Sequence, residues 1–123
     1  MNILDKNTDL MKKVEKGWGY ELWIHNDEEY CGKLLYFKKG KKCSLHYHEK
    51  KKETFYLQDG KLECTFYHLD EPGNVSKVIL FAGDSKEITR GLVHQMKALE
   101  DTVLFEFSTQ HFDEDSIRIE KGD

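Results

Sequence analysis

Proline is nearly missing from this chain, which has one, at position 72, and no apolar run approaches the ~20 residues that a bilayer-spanning helix needs. No basic excess is present either. The formal charge is -4, and acidic and basic residues are mixed along the chain, which speaks against a nucleic-acid binder and its usual basic face. The first residues, Met1-Asn2-Ile3-Leu4-Asp5-Lys6, lack the basic start and apolar centre of a signal peptide, so a cytoplasmic location is expected. Three cysteines (Cys31, Cys43 and Cys64) form an odd set without a C-x-x-C pair, and free packing thiols are the default for a reducing compartment. Cys43 invites attention because it lies close before a histidine. No internal repeat, low-complexity stretch or Pro/Ser-rich linker divides the 123 residues, a length that suits one domain.

What the chain does have is aromatic and β-branched residues in short runs. Seven Phe, six Tyr and two Trp offset a modest apolar content of 38%, because each large ring buries much area. Strands are predicted over 20–24, 33–37, 43–48, 53–57, 62–68, 76–81, 93–99 and 102–108. Turn signals punctuate them: Lys39-Gly40, Asp59-Gly60, Glu71-Pro72-Gly73-Asn74, Ala82-Gly83-Asp84 and Arg90-Gly91. Asp59-Gly60 has the composition of a tight hairpin turn. Residues 1–16 read as an N-terminal arm and 17–123 as the folded unit, with the acidic end left open between strand and tail. Many short strands at this spacing predict an all-β antiparallel sandwich or barrel.

His46 and His48 stand two apart on a predicted strand, where alternation puts both rings on one face. A polar turn follows, and Glu53 opens the next strand beside them; His94 comes much later and meets the others only if the sheet closes on itself. Three imidazoles and a carboxylate suit a divalent transition metal such as Mn, Fe, Co, Ni or Zn. An isolated H-x-H is more often structural than metal-binding, but here glycines frame it. Five residues separate Gly40 from His46, one His46 from His48, four His48 from Glu53 and six Glu53 from Gly60. This spacing resembles the first signature of the cupin family, G-x5-H-x-H-x(3,4)-E-x6-G. Gly83, Thr89, Gly91, His94 and Ala98 resemble the second, G-x5-P-x-G-x2-H-x3-N, with Thr89 in place of its proline and Ala98 in place of its asparagine.

The resemblance implies a single-domain cupin, a jelly-roll barrel or double-stranded β-helix, with His46, His48, Glu53 and His94 as metal ligands. The flanks narrow it. Lys16-Gly17-Trp18-Gly19-Tyr20-Glu21, Ser44-Leu45-His46-Tyr47-His48, Lys52-Glu53-Thr54, Glu106-Phe107-Ser108-Thr109 and Asp115-Ser116-Ile117-Arg118 are similar to segments of cupins related to mannose-6-phosphate isomerase. That branch implies a small-molecule substrate, a sugar or sugar phosphate, and a homodimer is expected at family level.

Several residues keep two readings. Trp18, Tyr20 and Trp23 could line a sugar pocket or serve as core and edge aromatics, the second being favoured. Lys50-Lys51-Lys52 reads as a solvated turn, with Lys52 alone a candidate contact and proton carrier at the metal rim. Arg90 could receive a phosphate through its planar fork or lie idle on the surface. His25, His68 and His111 fall outside both signatures and read as surface or structural; of these, His111 is the one that could reach the site. Glu106, between Phe105 and Phe107, would shuttle protons if it pointed inward and be merely solvated if it pointed outward.

Three functions fit these residues. The first is a metal-dependent isomerase or epimerase in which Glu106, Lys52 or a metal-bound water moves a proton between adjacent carbons. The second is an iron-dependent dioxygenase. The third is a sugar-binding or sensing module without catalysis.

Overall fold

The computed structural model describes residues 11–68 and 73–123. Eleven strands are present among them: β1 (Lys12–Lys16), β2 (Gly19–Asn26), β3 (Cys31–Phe37), β4 (Leu45–Tyr47), β5 (Glu53–Asp59), β6 (Lys61–His68), β7 (Asn74–Phe81), β8 (Ser85–Ile88), β9 (Val93–Ala98), β10 (Thr102–Ser108) and β11 (Ile117–Glu120). A 3-10 turn, Asp113–Asp115, precedes β11. No helix among the described residues is long and apolar enough to cross a membrane.

All eight anticipated strands form, and three more join them. β8 went unseen because Ser85-Lys86-Glu87-Ile88 carries only one apolar residue, Ile88, which is the one that is buried. β11 resolves the open acidic end as partly strand, and Lys12–Lys16 of the anticipated arm pairs with β2 as an edge strand; residues 1–10 lie outside the described residues.

The strands make two antiparallel sheets, a six-stranded one in the order β1-β2-β3-β10-β5-β8 and a five-stranded one in the order β11-β4-β9-β6-β7. They face one another as a jelly-roll barrel. Asp59-Gly60 departs from its expected part as a hairpin turn. β5 and β6 belong to different sheets, so the turn carries the chain across the barrel instead. Gly60 is needed there: its φ is +103°, and a Cβ would run into the Asp101 carbonyl. Thr102 Oγ1 accepts from Lys61 N and donates to the Glu100 carbonyl, which fixes this corner.

The interior is divided along the strands. At one end the inward side chains are apolar: Phe37 and Leu35 on β3, Leu57 on β5, Leu104 on β10, Met96 and Ala98 on β9, with Leu62 and Cys64 on β6. Toward the other end the same inward rows become ionisable. β3 reaches Lys33, β10 Glu106, β5 Glu53 and β9 His94, all buried. Register keeps these neighbours together, with Glu106 opposite Lys33 and His46 opposite His94.

Candidate metal centre

The histidines come from the five-stranded sheet and the glutamate from the six-stranded one. His46 lies on β4, His48 just beyond it, and β9 runs beside β4 so that His94 sits directly across from His46. One nitrogen from each of the three rings lies within 4.8 Å of the others. Glu53 opens β5 on the facing sheet, and its Oε1 is 3.6 Å from His48 Nε2 and 3.5 Å from His94 Nε2.

Each ring is held from behind. His46 Nδ1 is 2.8 Å from the Ser44 carbonyl, His48 Nδ1 3.1 Å from the Asp115 carbonyl and His94 Nδ1 2.8 Å from the Leu92 carbonyl. A carbonyl only accepts, so each Nδ1 carries the proton and each Nε2 turns a lone pair into the cluster. Metal-binding histidines are oriented in this way. Burial lowers the His46 pKa to about 3, helped by the nearby His94, and lowers that of His48 to about 4, helped by Lys51. Both rings are therefore neutral, as ligands must be, across the physiological range. His94 Nε2 and Glu53 Oε1 are buried without a hydrogen-bond partner, an arrangement that costs free energy unless something fills it. Three imidazoles and a carboxylate fit a divalent transition ion.

Around this cluster lies a cavity of about 250 Å³ whose walls are unusually ionic. Lys51 is 3% exposed, and its ammonium bridges two carboxylates, 3.1 Å from Glu53 Oε2 and 3.0 Å from Glu106 Oε2. Its Nζ is also 3.2 Å from His111 Nδ1. Burial opposes charge on Lys51, but Glu106 and Glu53 more than compensate and raise its pKa. Burial likewise opposes charge on Glu53, yet Lys51 holds its pKa below the usual carboxylate range. Glu106 goes the other way, raised by burial and by the charge of Glu53. Lys33, 2% exposed, lies 3.4 Å from Glu21 Oε1 and 4.3 Å from the Trp23 ring centroid.

Of the other anticipated residues, Glu106 points inward, the orientation its alternating neighbours left undecided, while Phe107 is exposed on the outer face. Lys52 is exposed and does not line the cavity; of the run 50–52, the lysine that does is Lys51. The turn is not free to present Lys52. Asp115 accepts from the backbone N–H groups of Glu49, Lys50 and Lys51 at 2.9–3.2 Å, which folds Lys51 inward and leaves Lys52 outside. Arg90 is likewise exposed and away from the cavity, its Nε donating to the Lys50 carbonyl at 2.8 Å. Trp18 lines the cavity while stacked on Phe37, with centroids 4.1 Å apart. Tyr20 stacks on Tyr36 on the opposite face of the sheet, as alternation from the inward Glu21 and Leu35 requires.

Trp23 donates to Glu21 at 2.9 Å, and His111 reaches the cavity wall, its pKa lowered to about 4 by burial and by Lys33 and Lys51. His25 and His68 bond locally to Asp27 and Ser76. The three cysteines are free and buried, and burial pushes the Cys43 thiol up to about 12. Lys33 and Lys51, which line the cavity, and Asp115, which holds the turn, were not singled out from the sequence as site residues. The inward parity of Lys33 with Leu35 and Phe37 was one available signal, and the segment opening at Asp115 another.

A search of curated proteins gives no match. Among solved structures the chain is similar to the capsular polysaccharide assembling protein CapF of Staphylococcus aureus, with a TM-score of 0.78 at 18% identity over 89% of this chain and 34% of that one. A variant of Bacillus subtilis oxalate decarboxylase gives 0.80 at 18% identity over 91% and 31%. KdgF of Halomonas sp. gives 0.71 at 18% identity over 86% and 94%. The chain thus spans about a third of the CapF and oxalate decarboxylase chains. At these identities the likeness concerns the fold. Residues 33–107 match the cupin domain model, a span that holds all four residues of the cluster, and the chain belongs to the cupin family.

Proposed function

We propose that this cupin isomerises or epimerises a small sugar or sugar phosphate at a divalent metal ion held by His46, His48, Glu53 and His94. The observation that carries the reading is the shared cavity. Pre-oriented imidazoles lie on one side of it and the Lys51–Glu106 pair, 3.0 Å apart, on the other. The ion would supply Lewis acidity toward a carbonyl and its neighbouring hydroxyl. The chain's own residues would do the rest.

Glu106, whose buried carboxyl holds a proton more tightly than an exposed one, accepts and returns the proton that moves between adjacent carbons. Lys51 orients that carboxyl and balances its charge. Ser108 Oγ lies 3.3 Å from the same Glu106 oxygen, its proton directed at the Thr109 carbonyl at 2.8 Å. Trp18 supplies an apolar wall. A capsular polysaccharide assembling protein among structures of the same fold supports carbohydrate chemistry. The metal belongs to the set Mn, Fe, Co, Ni and Zn, and one oxalate decarboxylase of similar fold is described with Mn(II) centres. A homodimer is part of the proposal, since Tyr56 and Phe107 leave apolar surface on the outside of the six-stranded sheet.

Metal-loaded protein should exchange deuterium at carbon 2 of an aldose or aldose phosphate, and Glu106→Gln should abolish that exchange while metal content stays. No exchange across hexoses, pentoses and their phosphates overturns the reaction. His94→Ala should lose the metal by elemental analysis, and unchanged content would overturn the site.

A further inference from the structure

The cavity does not end at the metal cluster. It adjoins an outer cleft, also of about 250 Å³, and the two share Lys16, Glu21, His111, Ser116 and Arg118 as walls. Lys12 lines the outer cleft, and Lys121 the inner cavity. The carboxylates here are engaged. Glu21 accepts from Trp23 and faces Lys33, Asp113 faces His111 Nε2 at 3.1 Å, and Asp123 accepts from the Lys42 backbone N–H at 2.9 Å. The cations are less so, although Lys16 lies near enough to Glu21 to help lower its pKa. Among the described residues, the side chains of Lys16, Arg118 and Lys121 have no ion pair or hydrogen bond. A chain with a net charge of -4 therefore carries a cluster of unpaired positive charge where its cavity opens.

The floor points the same way. Three buried or part-buried carboxylates, Glu21, Glu53 and Glu106, surround two ammonium groups, Lys33 and Lys51. A divalent ion on the histidine cluster would turn this floor from net negative to net positive.

We infer that the ligand is a small anion, with a carboxylate or phosphate group placed between Lys16, Ser116 and Arg118 and its hydroxyl-bearing end directed at the histidine cluster. This rests on the proposed reaction only for the orientation of the second end. The guanidinium of Arg118 offers the paired donors that either oxyanion accepts. β11 pairs with β4 so that Arg118 stands opposite His46, which sets the two ends of the ligand on adjacent strands. The anion site is thus on Arg118 and Lys16, and Arg90, fastened to the Lys50 carbonyl, has no part in it.

Binding can be followed by calorimetry and by the fluorescence of Trp23, which lines the outer cleft. Glucose, glucose 6-phosphate and glucuronate serve as probes, on metal-free and metal-loaded protein. The charged probes should bind about tenfold or more tightly than glucose. Metal loading should increase that preference and added salt should reduce it. Whichever charged probe binds better assigns the group as phosphate or carboxylate. The double substitution Lys16→Gln with Arg118→Gln should erase the preference without moving the thermal midpoint, and Arg118→Glu should reverse it. Equal binding of glucose, or a preference that survives the double substitution, overturns the inference. Exchange at carbon 2 separates the two ideas. Anion preference without exchange defeats only the isomerase reading, and exchange without anion preference defeats only this one.

Discussion

The two halves of the barrel interior are built from the same strands and obey opposite rules. On β10, Leu104 and Glu106 are both inward and both buried, two residues apart. Leu104 sits opposite Leu35 and Leu57, and its burial is favourable without any specific partner. Glu106 sits opposite Lys33, and its burial is tolerable only because Lys51 reaches it. Position in the alternation decides which residues are inside; it does not decide whether being inside stabilises. The apolar half pins the fold, and the ionic half depends on it to hold charges in place.

The largest effect should come from breaking the ionic half at its centre. Lys51→Met leaves Glu53 and Glu106 buried without their shared cation, and losing one partner of such a group costs about 3–5 kcal/mol. Urea unfolding of the metal-free protein should show this loss, and adding Glu106→Gln should recover part of it. A loss as large in the double variant as in the single would mean that Lys51 matters for packing alone.

Breaking the apolar half should cost nearly as much but leave the chemistry intact. Leu104 is fully buried, and Leu104→Ala should destabilise by about 2–5 kcal/mol. Metal affinity, measured by competition with a chelator below the unfolding transition, should stay within about twofold, since Leu104 does not line the cavity. A tenfold drop would show that the two halves are not separable.

A smaller effect is expected where the halves are joined. The buried Asp115 carboxylate gathers three backbone N–H groups of the turn between His48 and Glu53, and its own carbonyl receives His48 Nδ1. Asp115→Asn keeps the shape but weakens those bonds, so about 1–2 kcal/mol of stability should go. Metal affinity should fall by about tenfold or more, as for other residues that orient metal-binding histidines. Unchanged affinity would leave Asp115 a turn residue only.

The same contrast explains what could be read from the chain. His46 and His48 are legible because alternation is local, and the glycine-framed spacings added Glu53 and His94. The inward turn of Glu106 was not, because residues on both sides of it are aromatic and only the register with Lys33 selects its face. Lys51 was hidden for a different reason. It lies in a polar turn that looks solvated, and its direction is set by Asp115, 64 residues away. Arg118 and Lys16 each fall in a flanking segment, but only strand pairing at opposite ends of the chain brings both to one cavity wall. Local pattern finds strand residues. Long-range hydrogen bonds place turn residues.

Acidification should separate the halves most gently. His111 lies against Lys51 with its pKa lowered from 6.5 to about 4, chiefly by burial and then by Lys33 and Lys51. Because the unfolded chain takes up this proton first, the contribution of His111 to stability is complete above pH 6.5 and is lost as pH falls from there toward about 4. His46 and His48 add the same sign over a window reaching about 3. Glu106 has the opposite sign, since its raised pKa favours the folded state below 4.5 and that benefit disappears as pH rises through the folded value. The clean comparison is therefore the difference between the metal-free protein and His111→Gln, which removes one histidine and leaves the other groups. The variant should lose less stability than the parent between pH 6.5 and 4, measured by urea unfolding at fixed ionic strength. The Leu104→Ala protein should follow the parent's pH dependence with a constant offset. Parallel curves for parent and His111→Gln would mean that His111 is not held neutral by the ionic half, and its place in the cavity wall would then carry no electrostatic consequence.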